Sequence, residues 1–144
     1  MKHYDAIIIG AGQAGVPLAK KLAEAGKRTA LIEKRLVGGT CINDGCTPTK
    51  AMIASAKAVH QAKKASALGV DIGSVKIDFK KIVRRKNDIV EQFRSSSEKG
   101  IAETNGLKLI FGTAKFSAEK ELTITVNEGG EEKVTADWIF INTG

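Results

Sequence analysis

The chain opens on a short apolar run, Tyr4 to Ile9, that stops at Gly10, the pattern of a buried strand. From Gln13 to Ala25 the apolar residues Val16, Leu18, Ala19, Leu22, Ala23 and Ala25 cluster at helical spacing. Pro17 falls early enough for the first turn and Gly26 is a natural stop, so a helix is predicted here. A second strand, Arg28 to Ile32, ends at Glu33. Such a strand-helix-strand unit predicts two parallel strands joined by a right-handed crossover. After a glycine-rich passage from Val37 to Gly45, an alanine-rich helix is expected to begin near the cysteines and run through Ala51, Ile53, Ala54, Ala58 and Val59 towards Ala67. Asp78 can cap a third helix. Its apolar stripe of Phe79, Ile82, Val83, Ile89, Val90 and Phe93 is assigned to the core, and Lys80, Lys81, Arg84, Arg85 and Lys86 to the outer face. Strands then follow at Leu107 to Phe111, Leu122 to Val126 and Lys133 to Thr135, with Gly129-Gly130 marking a hairpin turn. Trp138 to Ile141 reads as one more buried strand, ending at Thr143 and Gly144.

Composition adds bounds to this picture. With 144 residues, 42% of them hydrophobic and 27% charged, one domain with one ordinary soluble core is the expectation. No run approaches a membrane span or a signal-peptide core, which leads to the expectation of a cytoplasmic protein with no membrane partner. The net charge of +7 favours anions, and nucleotide phosphates satisfy that as well as nucleic acid would. Aromatic residues suited to base stacking are scarce, so no nucleic-acid partner is expected.

Gly10, Gly12 and Gly15 form G-x-G-x-x-G between a predicted strand and a predicted helix, enclosing Gln13 and Ala14, and Glu33, followed by Lys34, ends the next strand. A tight turn requires Gly10, close approach of backbone to a pyrophosphate requires Gly12, and close helix-on-strand packing requires Gly15. The helix start offers unpaired N–H groups to phosphates, and the Glu33 carboxylate can accept hydrogen bonds from an adenosine ribose while repelling a 2′-phosphate. The fingerprint by itself does not separate FAD from NAD.

The only two cysteines, Cys41 and Cys46, stand in Gly38-Gly39-Thr40-Cys41-Ile42-Asn43-Asp44-Gly45-Cys46-Thr47-Pro48-Thr49-Lys50. Three readings compete. A zinc site lacks two further ligands, since His3 and His60 lie at no recognised spacing, and no metal site is assigned. A purely structural disulfide closes too small a loop to remove much unfolded-state entropy. A redox pair fits a thiol at a helix start with Lys50 nearby, where dipole and positive charge favour thiolate.

With the motif G-G-T-C-x-N-x-G-C-x-P-[ST]-K downstream of the glycine fingerprint, the chain resembles the N-terminal part of the class I pyridine nucleotide-disulfide oxidoreductases. These include dihydrolipoamide dehydrogenase, glutathione reductase and mercuric reductase. The resemblance implies an α/β fold: a Rossmann-like, three-layer FAD-binding domain with a parallel sheet, crossover helices and a small antiparallel meander. It implies FAD as cofactor and NADPH or NADH as electron donor. It also makes Cys41 the interchange thiol with a low-pKa thiolate, Cys46 the thiol facing the flavin, and Lys50 a neighbour of the flavin. Gly39 and Thr40 would line the diphosphate and ribityl region. The stretch holding Thr113 and Ala114 is similar to the family's adenine-contacting segment, and the one holding Thr143 and Gly144 to its second flavin-contact motif. Thr47, Thr49 and the Met52-Ile53-Ala54-Ser55-Ala56 helix look more like the mercuric reductase branch than like dihydrolipoamide dehydrogenase. The family's chains are longer, so residues 1–144 are expected to be the FAD-binding part of a discontinuous domain. Its C-terminal return, the NAD(P)-binding domain and the dimerisation domain of a homodimeric parent are not in this sequence. The parent's substrate would be a small-molecule or metal-ion electron acceptor, and these residues alone are expected to bind nucleotide without turnover.

Overall fold

The isoleucines of the first strand divide between two cores. In the computed structural model, which describes residues 1–144, β1 (Lys2–Ile9) sends Ile7 into one cluster and Ile8 into another, as the period of two requires. α1 (Gly15–Glu24) follows, and β2 (Thr29–Glu33), buried along its whole length, repeats the division with Ile32 and Leu31. β1 and β2 pair in parallel, Ile8 opposite Leu31. Gly26, at φ +79°, carries the chain out of α1 in the left-handed turn that favours glycine.

The cysteine segment forms two helices. α2 (Gly39–Asn43) is a single short turn holding Cys41, and α3 (Cys46–Lys64) begins at the second cysteine and continues as a 3-10 turn through Leu68. α4 (Phe79–Ala102) starts at Asp78, whose carboxylate accepts the Lys81 N–H at 2.9 Å, as the sequence predicts. The α4 stripe is not all core: Val90 and Ile101 are buried, but Phe79 is 63% and Phe93 53% exposed. Periodicity shows that a face is apolar; it does not show that these residues supply its cover.

The last three strands differ from expectation in length. β3 (Leu107–Ala118) pairs with β2 in parallel from Leu107 to Phe111, then with β4 (Glu121–Val126) antiparallel from Gly112 onward. At this change of partner Gly112 leaves no room for a side chain, since a Cβ would lie 2.6 Å from the Thr125 carbonyl oxygen. The two expected strands at 133–135 and 138–141 are one, β5 (Glu131–Ile141). Val134 is paired on both edges, with Leu122 of β4 and Lys2 of β1, so the strand passes between partners without a break. The hairpin at Gly129-Gly130 stands where it was expected, with the Val126 N–H bonded to the Gly130 carbonyl at 3.0 Å.

Pairing therefore runs from β1 through β5 and back to β1. Inside the circuit sit Tyr4, Ile7, Ile32, Ile110, Leu122, Ile124 and Val134; on the helix side sit Ile8, Ala19, Leu31, Val37 and Ile101. Each fully buried isoleucine or leucine contributes about 1.5–3 kcal/mol. Beyond Ala136 only β1 flanks β5, and Trp138, Phe140 and Ile141 are exposed there. No helix is long and apolar enough to cross a membrane.

Candidate functional site

The ends of β1, β2 and β5 and the starts of α1 and α2 meet around a cleft of about 370 Å³. Ten of the residues singled out in the sequence line it: Gly10, Gly12, Gln13, Ala14, Glu33, Lys34, Gly39, Thr40, Thr143 and Gly144. Cys41 lines it too. Thr113 and Ala114 line an adjoining pocket of about 190 Å³ that shares Gly10, Glu33, Lys34 and Thr143. Gly15 lies beneath the floor, where a Cβ would come 2.0 Å from the Gly10 carbonyl oxygen and 2.7 Å from Asn142 Nδ2. Cys46 and Lys50 stand outside both pockets, exposed on the first turns of α3.

Glu33 is the best-fixed polar group of the cleft. Only 9% exposed, its carboxylate accepts the Ala11 N–H at 2.9 Å and the Arg35 N–H at 2.8 Å. A carboxylate offers about four acceptor sites, so two remain for ribose hydroxyls. Backbone donors complete the site. The N–H groups of Gly12, Gln13 and Ala14, and those of Gly39 and Thr40 opposite, donate to no acceptor in the protein. Unpaired N–H groups at the start of α1 make an anion site, and a Cβ on Gly12 would meet nothing nearer than Asn142 Nδ2 at 3.7 Å. The cradle thus suits a diphosphate, which is what an FAD or NAD cofactor brings to it.

Four lining residues, Arg35, Leu36, Gly38 and Asn142, were not among the site residues chosen from sequence. Asn142 Nδ2 donates to the Gly10 carbonyl at 3.1 Å and so ties the end of β5 to the fingerprint loop. Arg35 forms an ion pair with Asp44, which raises the guanidinium pKa and lowers that of the carboxyl. The Asn142 contact spans 132 residues and the Arg35 contact nine, and neither follows a spacing rule that sequence reading could have used.

Cys41 and Cys46 are both free thiols. The expectation of a low-pKa thiolate at Cys41 is corrected. The hydrogen bond to Cys46 pushes the Cys41 thiol up, desolvation adds to this, and the attraction of Lys50 offsets only part. Local structure places the two side by side: Cys41 sits inside the one-turn α2, and Cys46 opens the 19-residue α3 that follows it.

A parallel strand-helix-strand unit with a phosphate cradle, flanked by a two-cysteine turn, defines a dinucleotide-binding redox domain. Residues 4–144 match the family described as pyridine nucleotide-disulphide oxidoreductase, and the chain belongs to it. FAD is the cofactor that membership implies. The chain is 35% identical over 139 residues to a dihydrolipoyl dehydrogenase of Bacillus subtilis, an alignment covering 95% of this chain and 30% of the relative. It is 34% identical over 142 residues to a mercuric reductase of Streptomyces lividans, covering 98% of this chain and 30% of that one. Among solved structures, a Cu(II) complex of the HOCl-induced flavoprotein disulfide reductase RclA from Escherichia coli superposes with a TM-score of 0.80 at 38% identity, over all of this chain and 29% of that one. The chain thus spans about 30% of the length of the relatives it matches.

Proposed function

We propose that this chain is the Rossmann-like, three-layer FAD-binding part of an oxidoreductase that passes electrons from NAD(P)H through the flavin to the Cys41–Cys46 disulfide and on to a substrate, in the manner of mercuric reductase. One observation carries the reading: the unpaired N–H groups of Gly12, Gln13 and Ala14 line the same cleft as Cys41. Bound FAD supplies the two-electron relay between the nicotinamide donor and the disulfide. Gly12 to Ala14, with Gly39 and Thr40, hold the diphosphate; Glu33 takes the adenosine ribose and Lys34 stands beside it. Thr113 and Ala114 flank the adenine, and Thr143 and Gly144 face the flavin end. Lys50 supplies positive charge near the sulfurs. Cys46, at the start of α3, faces the flavin, and Cys41 is the interchange thiol that must shed its proton before attacking substrate. As the substrate accepts two electrons, the two thiols close to a disulfide and release two protons. The 144 residues alone bind nucleotide without turnover, the whole protein works as a homodimer in the reducing cytoplasm, and the electron acceptor is a soft metal ion or small molecule. The Cu(II) complex of the Escherichia coli neighbour supports a metal-ion acceptor. The Bacillus subtilis relative favours a second reading, a dihydrolipoyl dehydrogenase.

Titrating FAD into the purified chain, with visible spectra before and after dithionite, tests the cofactor and the dithiol together. Bound flavin with a long-wavelength thiolate band that Cys46→Ser abolishes is expected; a chain that takes up no FAD overturns the reading. Adding NADPH should leave the flavin colour unchanged on an enzymic time scale, and rapid bleaching would disprove the claim of no turnover. Reoxidation of the reduced chain by Hg(II) or Cu(II), but not by lipoamide, is expected, and the reverse selects the dehydrogenase.

A further inference from the structure

Asn43 lies between the two cysteines and uses its whole carboxamide. Nδ2 donates to the Val37 carbonyl at 3.0 Å and to the Gly39 carbonyl at 2.9 Å, while Oδ1 accepts from Arg94 Nη1 at 3.1 Å. The two carbonyls flank Gly38 and Gly39, which carry φ of +98° and +61° and lead directly into the α2 turn holding Cys41. This turn is already tied to the fingerprint loop on its other side, through the Gly38 N–H to the Ala11 carbonyl at 2.7 Å. The brace works in one orientation of the amide only. A reversed Asn43 would set Oδ1 against two carbonyl oxygens and Nδ2 against a guanidinium, which has donors and no acceptor. Arg94 therefore selects the orientation that holds the turn. Its side chain is 20% exposed and is itself held by Glu91, one turn earlier on α4. The same helix grips the far side of the pair, where Arg85 donates to the Ala51 carbonyl and to Ser55 Oγ of α3.

We infer that Arg94 is a positioning residue for the dithiol: acting through Asn43, it holds the turn that presents Cys41 to Cys46. The inference rests on the redox reading of the pair. Closing the disulfide requires the two sulfurs to meet, so loosening the turn lowers their effective concentration and favours the dithiol.

The test equilibrates the purified chain with oxidised and reduced glutathione and counts free thiols by alkylation and mass. In the closing direction Cys41 and Cys46 give two electrons and two protons to oxidised glutathione, which leaves as two molecules of reduced glutathione. Arg94→Met, which keeps the length and removes the donors, is expected to lower the closure constant about tenfold, equivalent to about 30 mV. Arg94→Gln, which keeps a donor, should stay within about twofold of wild type. Asn43→Ala should match Arg94→Met, and the double variant should shift no further than Asn43→Ala alone. Should Arg94→Met lose its cooperative unfolding transition, Arg94→Lys carries the test with an expected shift of about threefold, because the charge remains and the planar fork is lost. An unchanged constant in Arg94→Met (or in Arg94→Lys where that variant carries the test), or additive shifts in the double variant, overturns the role of Arg94 while leaving the redox pair intact. A wild-type chain that closes no disulfide overturns the redox reading and this inference with it.

Discussion

Two glycines of one fingerprint, three residues apart, should fail in different ways when replaced by alanine. A methyl on Gly15 would lie 2.0 Å from the Gly10 carbonyl oxygen, a backbone atom that no rotamer change can move, so α1 must lift from β1. Overpacking of this kind costs about 1–3 kcal/mol, and a backbone clash belongs at the upper end. On Gly12 the methyl meets only Asn142 Nδ2 at 3.7 Å, ordinary contact, and Gly12 has no left-handed φ to strain. Stability should stay within about 0.5 kcal/mol of wild type. The cost falls instead on the ligand, because that methyl occupies the space through which the proposed diphosphate would approach the N–H groups. Losing one hydrogen bond to a charged group costs about 1.5–3 kcal/mol, or roughly 10- to 150-fold in Kd. Urea unfolding of the cofactor-free variants gives the first quantity, and FAD titration followed by flavin fluorescence gives the second. Gly15→Ala should move the urea midpoint strongly, and Gly12→Ala the Kd alone. Equal destabilisation of both variants, or wild-type FAD affinity in Gly12→Ala, would refute the division of labour.

Three further outcomes follow from the local geometry. Cys46→Ala removes the largest influence that pushes Cys41 up and leaves only desolvation to oppose Lys50, so iodoacetamide should alkylate Cys41 in this variant at lower pH than in wild type. In wild type the linked contribution to stability is complete below the ordinary thiol range and is lost as pH rises through the raised value. Arg35 holds Asp44 below the usual carboxylate range, so that contribution is present above the range and is lost as pH falls through the lowered value. Asp44→Asn should flatten the acid limb of a stability-pH profile measured by urea midpoints. Asp78→Ala, which leaves the Lys81 N–H of α4 without its acceptor, should cost about 1 kcal/mol in urea unfolding.

How much of this was legible in the sequence depends on whether the signal was local. Glycine at the end of β1, an acidic residue at the end of β2, Asp78 before α4 and the Gly129-Gly130 turn are determined within a few residues, and each was readable. The merging of two expected strands into β5 was not, because alternation marks which face is buried and says nothing about which neighbour lies along each edge. The site divides the same way. Its glycines and cysteines are read from spacing, whereas Asn142 reaching Gly10 and Arg94 reaching Asn43 join positions 132 and 51 residues apart. The misjudged titration of Cys41 has a cause that spacing does not show: the neighbouring Cys46 and partial burial push its thiol up by more than Lys50 draws it down.

The upper half of β5 has a practical consequence for anyone handling the protein. From Asp137 to Ile141 one row of backbone amides faces no partner strand, and Trp138, Phe140 and Ile141 stand exposed beside it. An apolar open edge of this kind is a template on which further chains add as strands. What opposes such stacking is the charge of +7, a repulsion that salt screens over about 10 Å at 0.1 M. Solubility of the isolated chain should therefore fall as ionic strength rises, so dilute buffer is the condition in which single molecules persist.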